Sequence, residues 1–340
     1  MPNKPIAVTM GEPSGIASEI ILKTWLSRKK NKIHPFFLID DLKKLEKINK
    51  TFQLNVKIHP IKKPSQTLKL FKYSLPVLDM KANLDFKLGN PNKKNCKFVI
   101  QSIIESLDLV IKKEACAILT LPVCKTTLKK SGFKFNGQTE YISHLCKKYF
   151  KKKNNEIMIL STNKPIDMGK NLIVGLVTTH EPIKDFLKKI NKRELIKKIY
   201  AFNFSLQKIW GFKIPKIGIC SINPHAGEEG LVGNEENKII IPVIKKLRKE
   251  NIKLYGPLSS DSCFFKDKRK KYDGILCFYH DQGLAPIKIL DFYNSINITG
   301  GIPILRVSPD HGPAFDIASS NIAKIDSLVS SIKFIERFSK

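Results

Sequence analysis

Short apolar runs that stop at polar turns alternate along this chain with stretches whose apolar residues recur every three or four positions. The runs Ile6–Met10, Phe36–Ile39, Val56–His59, Ala115–Leu121, Glu156–Leu160, Leu172–Thr178, Lys216–Ile222, Ile252–Tyr255 and Gly274–Tyr279 read as strands. Helical spacing appears over Ile16–Ser27, and over Phe98–Lys112, where Ile100, Ile103, Ile104, Leu107 and Val110 share a face. It returns over Ile183–Trp210, interrupted near Asn191, and over Asn234–Lys249 and Ile322–Phe338. A further helix opens at Gly137-Gln-Thr-Glu140, with Gln138 or Thr139 placed to cap it. Residues 42–95 are lysine-rich and weakly patterned, and Gly89–Asn95 reads as a linker. Alternation of strands and helices predicts an α/β class with a largely parallel sheet, expected as two α/β/α domains. The expected division is 1–125 plus 300–340, discontinuous, and 126–299.

Length and composition agree: 340 residues, 42% hydrophobic, suffice for full-sized cores. The formal charge of +30 invites a nucleic-acid reading. The excess is lysine, scattered in pairs such as Lys29-Lys30 and Lys197-Lys198, and the only arginines are Arg28, Arg193, Arg248, Arg269, Arg306 and Arg337. Phosphate and base recognition favours clustered arginine, so the expectation is solvated helix faces, with adhesion to polyanions only at low salt. Seven cysteines without a C-x-x-C pair suit reduced, mostly buried thiols in a cytoplasmic protein. No signal-peptide core and no long apolar run appears, so no membrane partner is expected.

Three histidines share one local grammar. His180, His225 and His280 each stand just beyond an apolar strand, where open α/β sheets bind ligands. Imidazole is a common ligand for divalent metals, and three of them leave positions open for a substrate. Spacing alone does not show that they converge. Asp281 follows His280 directly and suits a base or a group that orients the ring. Lys288, Asn297 and Arg306 follow at near-even intervals and could serve one anion. The first strand runs into Gly11-Glu-Pro-Ser-Gly15, which is neither a Rossmann fingerprint nor a P-loop. Its amides could still face an anion at the helix start.

Eight motifs in order then carry a resemblance: Thr9–Gly15, Gly137–Glu140, Thr179-His180, Asn223-Pro-His-Ala-Gly-Glu228, Gly256-Pro-Leu258 with Asp261, Tyr279-His-Asp-Gln-Gly-Leu284, Asn297-Ile-Thr299 and Asp310-His-Gly312. Together they resemble the 4-hydroxythreonine-4-phosphate dehydrogenase family of pyridoxal phosphate biosynthesis. That resemblance implies an isocitrate/isopropylmalate dehydrogenase-like fold, and a homodimer whose sites lie at the subunit interface with ligands from both chains. It implies a divalent metal (zinc, magnesium or cobalt) on His180, His225 and His280. Substrate contacts would come from Gln138, Thr139, Lys288, Asn297 and Arg306, with Lys288 and Asp281 as candidate catalytic groups. His311-Gly-Pro-Ala-Phe-Asp-Ile-Ala318 resembles the turn that holds the adenosine end of NAD or NADP in the wider fold group. His311, Gly312 and Asp316 are its candidate contacts, and the charge of Asp316 favours NAD over a 2′-phosphate. The discontinuous domain would then be the nucleotide side, and 126–299 the metal, substrate and dimer side.

The chain departs from the family pattern at Gln138, where histidine is usual, at Glu12 for Asp, at Ala17-Ser18 for Gly-Pro, and at Ser319 for Gly. The implied reaction is oxidation of a phosphorylated hydroxy-amino acid, 4-phosphooxy-L-threonine, followed by decarboxylation. Gln138 keeps open a related four-carbon acid phosphate, such as threonate or erythronate 4-phosphate. A metal-dependent hydrolase is the alternative of a different class.

Overall fold

The first apolar run forms β1 (Ile6–Thr9), buried at all positions, the pattern of a parallel strand covered on both faces. It is followed by β2 (Phe36–Asp40), β3 (Ile58–Ile61), β4 (Leu75–Asp79) and β5 (Ile118–Leu119). Then come β6 (Ile157–Ser161), β7 (Ile173–Leu176), β8 (Lys216–Cys220), β9 (Lys253–Leu258), β10 (Gly274–Cys277) and β11 (Ile296–Gly300), before the chain returns in β12 (Arg306–Pro309). This is a computed structural model, describing residues 4–151, 155–163, 165–166 and 170–338.

Two units are distinguished by their internal contacts: Met1–Tyr149 with Ile304–Lys340, and Phe150–Pro303. The first is discontinuous and takes in segment 126–149. Segment 126–149 stays with it because the helix Gln138–Phe150 is tied there. Gln138 Nε2 donates to the Leu121 carbonyl at 3.1 Å, and Arg306 of β12 donates to Thr139 at 3.3 Å.

In the first unit the strand order is β3-β4-β2-β1-β5-β12, every pair parallel. In the second it is β11-β6-β7-β10-β8-β9, with β7, β10, β8 and β9 parallel and β6 antiparallel to both neighbours. The α/β class and the largely parallel pairing thus agree with the alternation of the sequence. The stretch that patterning left open holds the helix Leu42–Thr51, the short helix Thr67–Leu70 and β4 among its elements. The first of these helices buries only Leu45 and Ile48 with the unexpected Lys44, and Asp41 caps it by accepting from the Lys44 amide at 2.8 Å. The expected long helix is two, Ile183–Lys189 and Lys192–Trp210, broken where Asn191 caps the second. Among the described residues no helix is long and apolar enough to cross a membrane.

Candidate active site

In the second unit the parallel pairing of β7 with β10 decides where two of the three histidines go. The ladder sets Leu176 opposite Cys277 and continues past the strands, where the Thr178 amide and hydroxyl both donate to the Phe278 carbonyl, at 3.0 and 2.7 Å. Two residues further on each side stand His180 and His280, with ring centroids 5.6 Å apart and planes inclined by 44°. His280 does not lie in a turn, as its flanking polar residues suggest. It is the first residue of the helix His280–Asp291. Gly283 lets that helix lie against β7, since a Cβ there would meet Leu176 Cδ2 at 2.6 Å and Val174 Cγ1 at 2.8 Å.

Asp281 Oδ1 lies 2.7 Å from His280 Nδ1. A carboxylate on Nδ1 fixes the tautomer with the proton there and leaves the Nε2 lone pair for a cation. Gln282 locks the surrounding segments. Its Nε2 donates to the Ser221 carbonyl at 2.8 Å and to Ser260 Oγ at 2.7 Å, while its Oε1 accepts from the Phe278 amide at 2.7 Å.

His225 is carried differently. After β8 the backbone enters a left-handed turn in which His225, Ala226, Gly227, Glu228 and Glu229 all have positive φ, from 41° to 79°. Side-chain-bearing residues disfavour this region by roughly 1–2 kcal/mol each. A buried carboxylate faces the turn. Glu236 Oε1 accepts from the amides of Ile222 and Asn223 at 2.7 and 2.8 Å, and its Oε2 accepts from Asn223 Nδ2 at 2.8 Å. Burial alone would raise the Glu236 pKa, but these donors hold it below the usual carboxylate value. Asp261 is also held low, first by the Ser259 hydroxyl and further by the nearness of His225.

The donor set suits a divalent cation in kind: adjacent imidazoles, one already oriented by a carboxylate. Among the described residues, however, no group of three His, Cys, Asp or Glu side chains is close enough to hold one. The single chain brings His180 and His280 together, and the three-imidazole cluster expected from the resemblance is not formed within it. In the same unit, Lys288 Nζ donates to Ser295 Oγ at 3.1 Å and stands over the Phe292 ring. Asn297, on β11, has a buried Oδ1 without a hydrogen-bond partner.

The first unit gathers Gln138, Thr139 and Arg306. The Arg306 guanidinium is 3% exposed, donates to Thr120 Oγ1 at 2.6 Å and to Thr139 Oγ1, and has its pKa pushed down to about 10 by burial, against the pull of Glu140. Gln138 and Thr139 therefore do not cap their helix; their side chains are spent on Leu121 and Arg306. Gln138 Oε1 stays buried and without a hydrogen-bond partner, so this residue offers an acceptor at the site. Lys125, which patterning did not single out, shares the neighbourhood. Its ammonium pKa is lowered by desolvation, with Glu140 opposing and Arg306 contributing.

The Gly11–Gly15 turn does not form the anion cradle that its position allows. The Glu12 amide donates to Pro122, Gly15 to Glu12 and Ile16 to Pro313, and Ser14 N donates to the Glu12 carboxylate at 3.2 Å. The bond from Ile16 instead fastens the 311–318 turn. There His311 Nδ1 lies 3.0 Å from the Gly312 carbonyl oxygen, and Gly312 and Asp316 are exposed.

Sequence patterning missed Glu236 and Lys125, and gave Gln282 no role. The signal for Glu236 was faint: a Glu-Glu pair opening a helix directly after a glycine-rich turn.

A profile of the family described as pyridoxal phosphate biosynthetic protein PdxA matches residues 32–335. A 4-hydroxythreonine-4-phosphate dehydrogenase of Sulfurihydrogenibium is 36% identical over 96% of this chain and 96% of its own length. The crystal structure of the enzyme of that name from Klebsiella pneumoniae superposes with a TM-score of 0.84 at 30% identity, covering 99% of this chain and 100% of that one. The isocitrate dehydrogenase of Methylococcus capsulatus is 10% identical and superposes with a TM-score of 0.50, over 98% of this chain and 85% of its own, a likeness of fold alone.

Proposed function

The chain belongs to the PdxA family of pyridoxal phosphate biosynthetic proteins, and from that premise we propose that it oxidises 4-phosphooxy-L-threonine with NAD. The carbon that bears the secondary hydroxyl gives its hydrogen as hydride to the nicotinamide, and the hydroxyl gives its proton to a base as the C=O bond forms. The product, 2-amino-3-oxo-4-phosphooxybutanoate, is a β-keto acid and loses carbon dioxide to give 3-amino-2-oxopropyl phosphate. The observation that carries the reading is the pairing of His180 and His280 at adjacent strand ends, with Asp281 already orienting the second ring.

His180, His225 and His280 would hold a divalent cation (zinc, magnesium or cobalt), with a second copy of the chain completing the set. Bound there, the cation supplies positive charge that lowers the pKa of a hydroxyl and stabilises enolate-like charge. Asp281 acts on His280 in this reading, since one of its oxygens is spent on that ring. Arg306 and Thr139 bind an anionic group of the substrate, with Lys125 adding a cation beside them. Lys288 and Asn297 are the substrate contacts proposed within the second unit, where the Asn297 Oδ1 acceptor, like Gln138 Oε1 in the first unit, suits a molecule that carries donors, a hydroxyl or an ammonium. His311, Gly312 and Asp316 take the adenosine end of NAD, with the Asp316 carboxylate receiving ribose hydroxyls and repelling a 2′-phosphate. A homodimer, with ligands from both chains, is part of this reading. Seven cysteines, none of them in a disulfide, suit a reducing compartment, the cytoplasm.

The test is NADH formation from 4-phosphooxy-L-threonine, compared with threonate and erythronate 4-phosphates. The amino acid is expected to be the best substrate, with activity lost to a chelator and restored by metal. Gln138→His is expected to change KM more than kcat. Metal-dependent phosphate release without NADH would favour a hydrolase.

A further inference from the structure

We infer that Glu236 is the positioning residue for His225: its buried carboxylate clamps the left-handed turn that points this imidazole. The inference rests on the metal reading above and concerns a residue outside the ligand set. Five successive residues in the left-handed region are not held by their own preferences, because only Gly227 among them lacks a Cβ. Something outside the turn must hold it. Glu236 is 2% exposed, and its two oxygens accept three hydrogen bonds from Ile222 and Asn223, the residues that lead into Pro224 and His225.

The contact is close from the other side as well. A Cβ on Gly227 would meet Glu236 Oε2 at 2.8 Å, so the middle of the turn lies directly against the carboxylate. Glu235 adds a further acceptor for Asn223 Nδ2, at 2.7 Å. The π-helical segment Glu236–Ile240 then begins at this residue, an irregularity frequent near functional sites. Asn223, the turn and Glu236 form a closed bracket around one imidazole-bearing loop. His280 has its own orienting carboxylate in Asp281, in direct contact with the ring; for His225 the orientation is imposed through the backbone.

The experiment is zinc affinity of the full-length protein, measured by chelator competition, in a double-mutant cycle. Glu236→Gln keeps the shape of the side chain and replaces one acceptor oxygen with a donor. It is expected to weaken zinc binding by about 10-fold or more in the His225 protein. In a His225→Ala background the same change is expected to have little effect, because the ligand it positions is gone. Equal losses in both backgrounds, or no loss in the first, would overturn the inference. Should Glu236→Gln fail to fold, Gly227→Ala displaces the carboxylate from the opposite side and enters the same cycle.

Hydrogen exchange at the Ile222 and Asn223 amides reads the clamp without metal. Exchange at least 10-fold faster in Glu236→Gln is expected, and unchanged exchange would refute the clamp. If the wild-type protein binds zinc no better than His225→Ala, the metal reading fails, while the exchange result still decides the clamp.

Discussion

Two buried carboxylates, one in each unit, behave in opposite ways. Asp40 ends β2 with its side chain fully buried, and Glu236, beyond the end of β8, is almost as inaccessible to solvent. The Asp40 pKa is pushed up to about 6 by burial, which outweighs Lys44 and the Asp41 amide. Glu236 is pulled below its usual value by backbone and amide donors. The difference lies in depth, since Asp40 is enclosed by more protein than Glu236 and is desolvated further, and in who donates. Lys44 Nζ, 2.8 Å from Asp40 Oδ2, is itself buried, so one desolvated charge offsets another. Backbone amides carry no net charge to desolvate, and three well-placed donors stabilise the ionised form outright. The first arrangement closes a helix onto a sheet. The second holds a strained turn at the candidate metal site.

The largest expected effect comes from breaking the Asp40–Lys44 pair. Lys44→Met leaves a buried carboxylate without its cation and should cost about 3–5 kcal/mol in urea unfolding. Replacing both partners with apolar residues should cost much less. Next is Gly227→Ala, which combines φ of 79° with intrusion on Glu236. A loss of about 1–2 kcal/mol or more is expected in the same measurement. The smallest effect is a slope with pH. The folded pKa of Asp40 lies above its unfolded value, so the folded chain holds this proton more tightly between pH about 4 and about 6. Its contribution to stability therefore falls as pH rises through that window and is level above it. Asp40→Asn should remove that slope, which unfolding curves across the window would show.

Much of the frame was legible because buried strands announce themselves. β1, β2, β8 and β10 lie within two residues of their apolar runs, each followed by a polar break. The common place of His180 and His280 after strands did not by itself show that they meet; the parallel ladder of β7 with β10 brings these two rings together. Other features left no such trace. Lys44 in a core is intelligible only once Asp40 stands four residues before it, at the end of β2. His-Asp-Gln-Gly reads as a turn because glycine and a later proline argue against helix. Here Gly283 is required by contact with Leu176, and Pro286 is accommodated within the helix. Nothing in Ala226, Glu228 or Glu229 signals positive φ; that conformation is imposed by Glu236, whose contacts depend on tertiary structure.

The central claim is a cation-dependent oxidation served by His180, His225 and His280. It is tested most directly by following NADH formation from 4-phosphooxy-L-threonine with the purified protein, before and after chelation, and after returning zinc, magnesium or cobalt. The account predicts NADH formation that chelation abolishes and metal restores, and that His280→Ala lacks under every condition. NADH formation at an undiminished rate in the chelated protein or in His280→Ala would contradict it.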